Sequence, residues 1–201
     1  MIKNVIFDLG GVVLGRDFKR LGEVLGNTFA FISADEAFPE YWSEFDRGTY
    51  TREEVTRMLA EDYNLTLEDA NSQVQRLLEL LQPIPETDVL IRELKQQGIR
   101  CYVLSNMSKE FYAELLKFPV FELFDGAVIS YQERLNKPDS RIYHTILTRY
   151  GLVPEETIFA DDKAANTAAA EEFGIHTVTY DCNGDGPERV REIVRRENGA
   201  K

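Results

Sequence analysis

From residue 85 onward, short apolar segments alternate with segments of helical pattern, and this alternation limits the possible folds more than any other feature of the sequence. Glycines close the helical segments, which end at Gly98, Gly151 and Gly174. The apolar segments have the length and composition of strands: 99–106, 126–130, 157–162 and 175–180. Such alternation predicts an α/β, Rossmann-like core, in which helices cover both faces of a doubly wound parallel sheet.

The N-terminal segment supplies a further strand, and a region of different character follows it. Residues 2–7 form an apolar run that ends at Asp8. Residues 18–81 then carry four helical patterns in succession. We therefore predict a small all-helical cap inserted after the first strand, with the core at 1–14 and 84–201 and the cap at 15–83.

Spacing and capping pairs indicate the helices of the cap. Apolar residues recur at helical spacing over 18–32 and again over 67–81. Two pairs have the spacing of capping boxes, which begin helices: Ser33 with Glu36, and Thr51 with Glu54.

Composition and charge exclude several classes of partner. The chain has 201 residues and a formal net charge of -12, so nucleic-acid backbones and anionic membranes would repel it. No apolar run approaches the ~20 residues of a membrane-spanning helix, and the N-terminus lacks the cleavage site of a secretory signal. We expect a cytoplasmic protein with no nucleic-acid or membrane partner, whose two cysteines are free thiols.

Polar residues follow the predicted core strands at their carboxyl ends. Right-handed crossovers bring those ends to one edge of a parallel sheet, where such folds bind ligands. Residues far apart in the sequence can therefore converge into one site. The candidates are Asp8, Ser105 with Asn106, Lys137, and Asp161 with Asp162.

Four segments containing these residues resemble the motifs of haloacid dehalogenase superfamily hydrolases. They are VIFDLGGVV, VLSN, RLNKPDSRIY and IFADDKAAN, and their order and spacing match over nearly the whole chain. The helical insertion lies after the first motif, where members of that superfamily carry a helical cap domain of the first type (C1). The DLG in the first segment resembles a group of small bacterial phosphatases that includes enzymes acting on glucose 1-phosphate.

The resemblance implies a role for each candidate in a Mg²⁺-dependent phosphatase. Asp8 would attack phosphorus and form an aspartyl-phosphate, and Lys137 would neutralise the phosphoryl oxygens. Ser105 would donate a hydrogen bond to a phosphoryl oxygen, with Asn106 adding polar support. The metal would be held by Asp8, the backbone carbonyl of Gly10, Asp162 directly, and Asp161 in the outer shell.

Structural roles remain open for several of these residues. Ser105 and Asn106 have the composition of a helix N-cap, and the Asp161 and Asp162 pair could cap the next helix. Asn166 either supports those carboxylates or faces solvent. His144 and His176 have no spacing to other ligands, so we expect ordinary structural roles for them.

Within the cap, two groups of residues are candidates for substrate contact. Arg47 with Gly48 resembles a pair that related caps direct toward substrate. The aromatic cluster of Tyr41, Trp42 and Phe45 is typical of a packed core, although it could form a substrate platform. The size of the cap favours a small phosphorylated metabolite, such as a sugar phosphate, and the oligomeric state is a monomer or homodimer.

The sequence departs from the superfamily at one position. Most phosphatases of this kind carry a general acid/base Asp two residues after the nucleophile, and here that position is Gly10. General acid help is worth about 10² to 10⁴ in rate, so we expect leaving groups that need little protonation, or another proton donor such as Asp17.

Three other functions remain. A haloacid dehalogenase uses the same carboxylate without a metal, but adjacent Asp161 and Asp162 favour a metal. A phosphomutase normally needs the missing acid. A degenerate binding domain is compatible with Gly10 but not with an intact set of Asp8, Lys137 and Asp162.

Overall fold

The computed structural model describes residues 1–15, 23, 25, 26, 28, 29, 31 and 38–199. The candidate proton donor Asp17, the capping pair Ser33 with Glu36, and most of the predicted helix at 18–32 lie outside the described residues. No described helix is long and apolar enough to cross a membrane.

A parallel five-stranded sheet forms the centre of the molecule. Its order, β5-β4-β1-β6-β7, places the N-terminal strand in the middle. All four strand pairings in this sheet are parallel. The strands are β1 (Asn4–Phe7), β4 (Arg100–Ser105), β5 (Gly126–Ile129), β6 (Thr157–Asp161) and β7 (His176–Thr179), while β2 (Leu14–Gly15) and β3 (Gln82–Pro83) form a separate antiparallel pair.

Helices alternate with the core strands as the sequence predicts. Those described in the cap are α1 (Glu40–Asp46), α2 (Arg52–Asp62) and α3 (Leu67–Leu80). Those of the core are α4 (Pro85–Gln96), α5 (Lys109–Leu115), α6 (Ser130–Glu133), α7 (Ser140–Tyr150), α8 (Ala164–Glu171) and α9 (Gly186–Asn198), with short 3₁₀ turns at Pro119–Leu123 and Pro154–Glu156.

Both faces of the sheet are buried. Successive strand residues point to opposite faces, so Val5 and Phe7 pack into one apolar cluster and Ile6 into the other. The first cluster includes residues of α4 and α9 and continues into the cap, whereas the second includes residues of α7. The predicted doubly wound α/β fold is therefore confirmed.

The cap joins the core through the β2–β3 pair. Leu14 pairs with Pro83 and Gly15 with Gln82, so the chain leaves and re-enters the core side by side. The division into core 1–14 and 84–201 and cap 15–83 stays a prediction, and this pairing lies at its boundaries. The capping box at the start of α2 is confirmed, because Thr51 and Glu54 exchange side-chain to backbone hydrogen bonds.

Two helix ends have defined contacts. The helix α9 continues to Asn198, whose side chain accepts a hydrogen bond from the Ile2 N–H at 2.5 Å and donates one to the Ile2 carbonyl at 3.1 Å. The N-cap of α5 is Ser108 and not Ser105 or Asn106. Those two residues are thereby left to the site at the strand ends.

Candidate active site

Asp8 lies immediately after the central strand, at the carboxyl edge of the sheet. Its backbone N–H donates to the Ala160 carbonyl at 2.9 Å, which extends the pairing of β1 with β6 by one residue. The chain then turns tightly, and the carbonyl of Leu9 accepts hydrogen bonds from Val12, Val13 and Leu14. This turn fixes the Asp8 carboxylate at the strand tip, where it is 7% exposed.

Lys137 is buried between two carboxylates. Its ammonium nitrogen lies 2.8 Å from Oδ1 of Asp8 and 2.5 Å from Oδ2 of Asp161, and it donates to the Leu104 carbonyl at 2.8 Å. Burial alone would lower the pKa of Lys137, but attraction to Asp161 and Asp8 outweighs burial and raises the pKa above its usual value. The ammonium therefore stays protonated and fixes the position of Asp8.

Asp161 is fully buried, and both of its oxygens accept hydrogen bonds. Oδ2 accepts from Lys137, while Oδ1 accepts from the Lys163 N–H at 2.8 Å and from the Asn166 amide at 2.9 Å. Asn166 therefore supports the carboxylates, which answers the question that the sequence left open. Because its oxygens are engaged, Asp161 is better suited to orient Lys137 than to bind a metal directly.

A cluster of carboxylate oxygens at this edge fits a divalent cation. Oxygens of Asp8, Asp161 and Asp162 all lie within 4.8 Å of one another. Mg²⁺ takes oxygen ligands and is usually bound by one or two carboxylates together with water. Since Asp161 is engaged with its hydrogen-bond donors, Asp8 and Asp162 are the carboxylates best placed to bind the ion.

Gly11 provides the space that Asp162 occupies. The backbone of Gly11 has a φ of +78°, and a Cβ atom there would lie 2.9 Å from Oδ2 of Asp162. A side chain at position 11 would therefore displace the Asp162 carboxylate. The glycine following Gly10 is thus required both for the turn and for the position of the Asp162 carboxylate.

Asn106 holds the backbone of Lys137. Its amide donates to the Lys137 carbonyl at 3.0 Å, and its side-chain oxygen accepts from the Lys137 N–H at 2.8 Å. This reciprocal pair joins the loop after β4 to the loop that carries the lysine. Asn106 therefore positions Lys137, and its predicted support of the phosphate would be indirect.

A cleft of about 70 Å³ opens above these groups. The residues predicted from the strand ends line it, except the fully buried Asp161. Three further residues that the sequence did not assign to substrate also line it, Phe38, Lys163 and Asn166. Lys163 directly follows the acidic pair and could have been noticed for that reason, whereas Phe38 has no sequence signal. The cleft is lined by Asp8, Gly10, Phe38, Ser105, Asn106, Lys137, Asp162, Lys163 and Asn166.

The candidate residues of the cap have other contacts. Arg47 forms an ion pair with Glu44 in its own helix and is not among the residues lining the cleft, so its contact with substrate stays a prediction. Trp42 and Phe45 are buried, and each packs edge to face on Phe111 of the core at 6.0 Å between ring centroids. These two rings are packed where the cap meets the core, as their composition favours.

The fold and the acidic site together define a metal-dependent hydrolase with a carboxylate at the tip of its central strand. A family model for haloacid dehalogenase-like hydrolases matches residues 2–174, and the chain belongs to this family. It is a phosphohydrolase that uses Mg²⁺.

Relatives with named activities support this class. A sesquiterpene phosphatase of Aspergillus oryzae is 28% identical over 86% of this chain and 87% of its own length. A D-ribitol-5-phosphate phosphatase of Bacteroides thetaiotaomicron is 24% identical over 96% of this chain and 99% of its own length. A family enzyme of Bacteroides thetaiotaomicron, solved with magnesium and inorganic phosphate, is similar with a TM-score of 0.71 and 25% identity, covering 92% of this chain and 97% of the other.

Proposed function

We propose that Asp8 attacks the phosphorus of a small phosphate monoester. A bond forms between an Asp8 oxygen and phosphorus while the bond from phosphorus to the leaving alcohol breaks. Water then attacks phosphorus in the resulting aspartyl-phosphate, which releases inorganic phosphate and restores the carboxylate. The observation that carries this proposal is the buried contact of Lys137 with Asp8 at the tip of the central strand.

The other residues prepare the site for an anion. Lys137 offers a protonated ammonium to the phosphoryl group, while Asn106 and Asp161 hold that ammonium in place. Ser105 is buried beside the cleft, where its hydroxyl is suited to donate to a phosphoryl oxygen. Mg²⁺ bound by Asp8, Asp162 and the Gly10 carbonyl would neutralise charge between the carboxylate and the phosphoryl oxygens.

The leaving group is the least constrained part of this proposal. With Gly10 in place of an acid, the departing alkoxide would take its proton from water or would need little protonation. A sugar phosphate attached at its anomeric carbon meets that condition. The names of two relatives span a polyol phosphate and a sesquiterpene phosphate, so both polar and apolar leaving groups are candidates.

The net charge of the chain bears on its partners. A net charge of -12 disfavours nucleic acids and anionic membrane surfaces as partners. We place the enzyme in the cytoplasm, as a monomer or homodimer acting on a small metabolite.

Phosphate release from p-nitrophenyl phosphate, with and without Mg²⁺, tests the proposal. Asp8→Asn should lower kcat on the order of 10⁴-fold or more, because it removes the nucleophile. Asp88→Asn is the matched control, since Asp88 lies on the exposed side of α4 and pairs only with Arg92 in the described structure. Equal loss in both variants, or Mg²⁺-independent turnover that survives Asp8→Asn, would contradict the proposed role.

A further inference from the structure

A second cavity lies between the cap and the core, next to the catalytic cleft. Its volume is about 40 Å³, and Phe38 and Asn106 line both the cavity and the cleft. The two spaces therefore adjoin, and the second one is available to the rest of an ester whose phosphoryl group lies in the cleft. The cavity belongs to neither the metal site nor the phosphate contacts described above.

The walls of this cavity are apolar and buried. Trp42 and Leu77 contribute from the cap, and Met107 and Phe111 from the core. Each of these four side chains is at most 5% exposed. Contact between the rings of Trp42 and Phe111 fixes one wall, so the cavity has a defined shape with little freedom to adapt.

Among the described residues that line the cavity, Asn106 and Asp46 are polar, and both have interaction partners. Asn106 uses its amide oxygen and nitrogen on the backbone of Lys137. Asp46 is the other polar residue of the lining, and it already has an interaction partner. Alkyl groups entering this space would gain by burial, whereas hydroxyl groups would exchange their bound water for the polar atoms of Asn106 and Asp46.

We propose that this cavity selects phosphate monoesters whose leaving group is a compact apolar alcohol. This inference rests on the proposed phosphatase function and narrows its substrate class. A cavity needs about 10 to 15 Å³ for each water-sized group, so the space accommodates about three such groups. The preferred alcohol therefore carries about three or four carbons in the cavity, next to the ester oxygen.

A series of alkyl phosphates tests the inference, because methyl to hexyl esters differ little in leaving-group acidity. Each methylene buried in the cavity should raise kcat/KM about fourfold, and the gain should stop after about four carbons. Butyl phosphate should be a better substrate than 2-methoxyethyl phosphate, which has the same length and a polar ether oxygen. Ribitol 5-phosphate, which is also an ester of a primary alcohol, should be a poorer substrate than butyl phosphate.

Several results would overturn the inference. A flat chain-length profile, or preference for the ether or for ribitol 5-phosphate, would show that the cavity does not bind an apolar group. Preference for 4-hydroxybutyl over butyl phosphate would do the same and would point to hydroxyl recognition by Asp46. By contrast, absence of turnover on p-nitrophenyl phosphate and on every ester would refute the phosphatase function itself.

A matched pair of variants tests whether the cavity sets the chain-length limit. Leu77→Ala enlarges the cavity, so kcat/KM should continue to rise for esters one or two carbons longer than the limit of the wild-type enzyme. Leu59→Ala is the control, since Leu59 is equally buried in the cap but does not line the cavity. An unchanged limit in Leu77→Ala, or an equal shift in both variants, would contradict the inference, and the wild-type series remains decisive if a variant fails to fold.

Discussion

Asp161 and Asp162 are held in place by different contacts, and we therefore assign them different roles. Asp161 accepts hydrogen bonds from the Lys137 ammonium, a backbone N–H and a side-chain amide, whereas the Asp162 carboxylate occupies the space that a side chain at Gly11 would fill. A carboxylate with several hydrogen-bond donors is held in position. Asp161 therefore orients Lys137, and Asp162 depends on the space at Gly11.

Gly11→Ala tests that dependence. The new Cβ would lie 2.9 Å from Oδ2 of Asp162, so the carboxylate must move away from the metal site. We expect the Mg²⁺ concentration for half-maximal activity to rise about tenfold or more, in keeping with the 10- to 100-fold effects of disturbing metal-ligand geometry. Mg²⁺ titration of phosphatase activity measures this change.

The control for Gly11→Ala is Gly98→Ala. Gly98 has a φ of +76°, close to the +78° of Gly11, but a Cβ there meets nothing within 4 Å. Both variants should lose about 1–2 kcal/mol of unfolding free energy from backbone strain. A similar Mg²⁺ requirement in the two variants would show that the contact with Asp162 is unimportant.

At the residue scale, the sequence predicted that charged residues at the ends of different strands would come together. Asp8 and Lys137 lie together because parallel strands bring their carboxyl ends to one edge. The contact of Asn106 with the Lys137 backbone was not predicted, because it depends on how two loops approach one another. Phe38 was missed for the same reason, since cap and core meet only in the folded chain.

At the scale of elements, α6 connects the cap to the site. Ser130, its first residue, is fully buried and accepts a hydrogen bond from the Met107 N–H at 2.8 Å. Its hydroxyl also donates to the Asp46 carbonyl at the end of α1. One side chain therefore links the loop after β4, the end of β5 and the cap.

Ser130→Ala should loosen the cap on the core. The substitution leaves the Met107 N–H and the Asp46 carbonyl without this buried partner, which should cost about 1–3 kcal/mol of unfolding free energy. Urea unfolding measures the loss, and amide hydrogen exchange should accelerate in α1 more than in β1. Thr148→Ala is the control, because that hydroxyl bonds within its own exposed helix. Unchanged exchange in α1 would contradict the link.

Elements were predictable from sequence to the extent that their pattern is local. The core strands were each predicted within one or two residues, because apolar runs between turn residues have few alternatives. The helix α9 was not predicted, although Val190, Ile193 and Val194 recur at helical spacing after Pro187. The short α6 has no periodicity of its own.

At the scale of the whole molecule, the apolar clusters protect groups that water would otherwise reach. Cys101 is the second residue of β4, where burial raises the pKa of its thiol to about 12. Lys95 lowers this pKa and Asp125 raises it, both by less than burial does. Cys182 is half-buried, and burial raises the pKa of its thiol as well. Both thiols are therefore protonated at neutral pH, and they differ in how far solvent and reagents can reach them.

Thiol titration at pH 8 checks this arrangement. In the folded protein, Cys182 should react slowly with a disulfide reagent and Cys101 should not react, whereas both should react after unfolding. An unfolded thiol has a pKa of about 8.5, so the contribution of Cys101 to stability is complete below that pH and declines as the pH rises toward 12. Rapid reaction of Cys101 in the folded protein would show that the core opens more readily than its packing indicates.

The most direct test of the account is to trap the covalent intermediate. Borohydride reduces an acyl phosphate to an alcohol but leaves a free carboxylate unchanged. If the enzyme is quenched with borohydride during steady-state turnover, a fraction of the protein should therefore carry homoserine in place of Asp8. We expect peptide mass spectrometry to find this change at Asp8 alone, and only when both Mg²⁺ and a substrate ester are present. Active turnover without any reduced Asp8, or with reduction at Asp161 or Asp162 in its place, would contradict the assignment of the nucleophile.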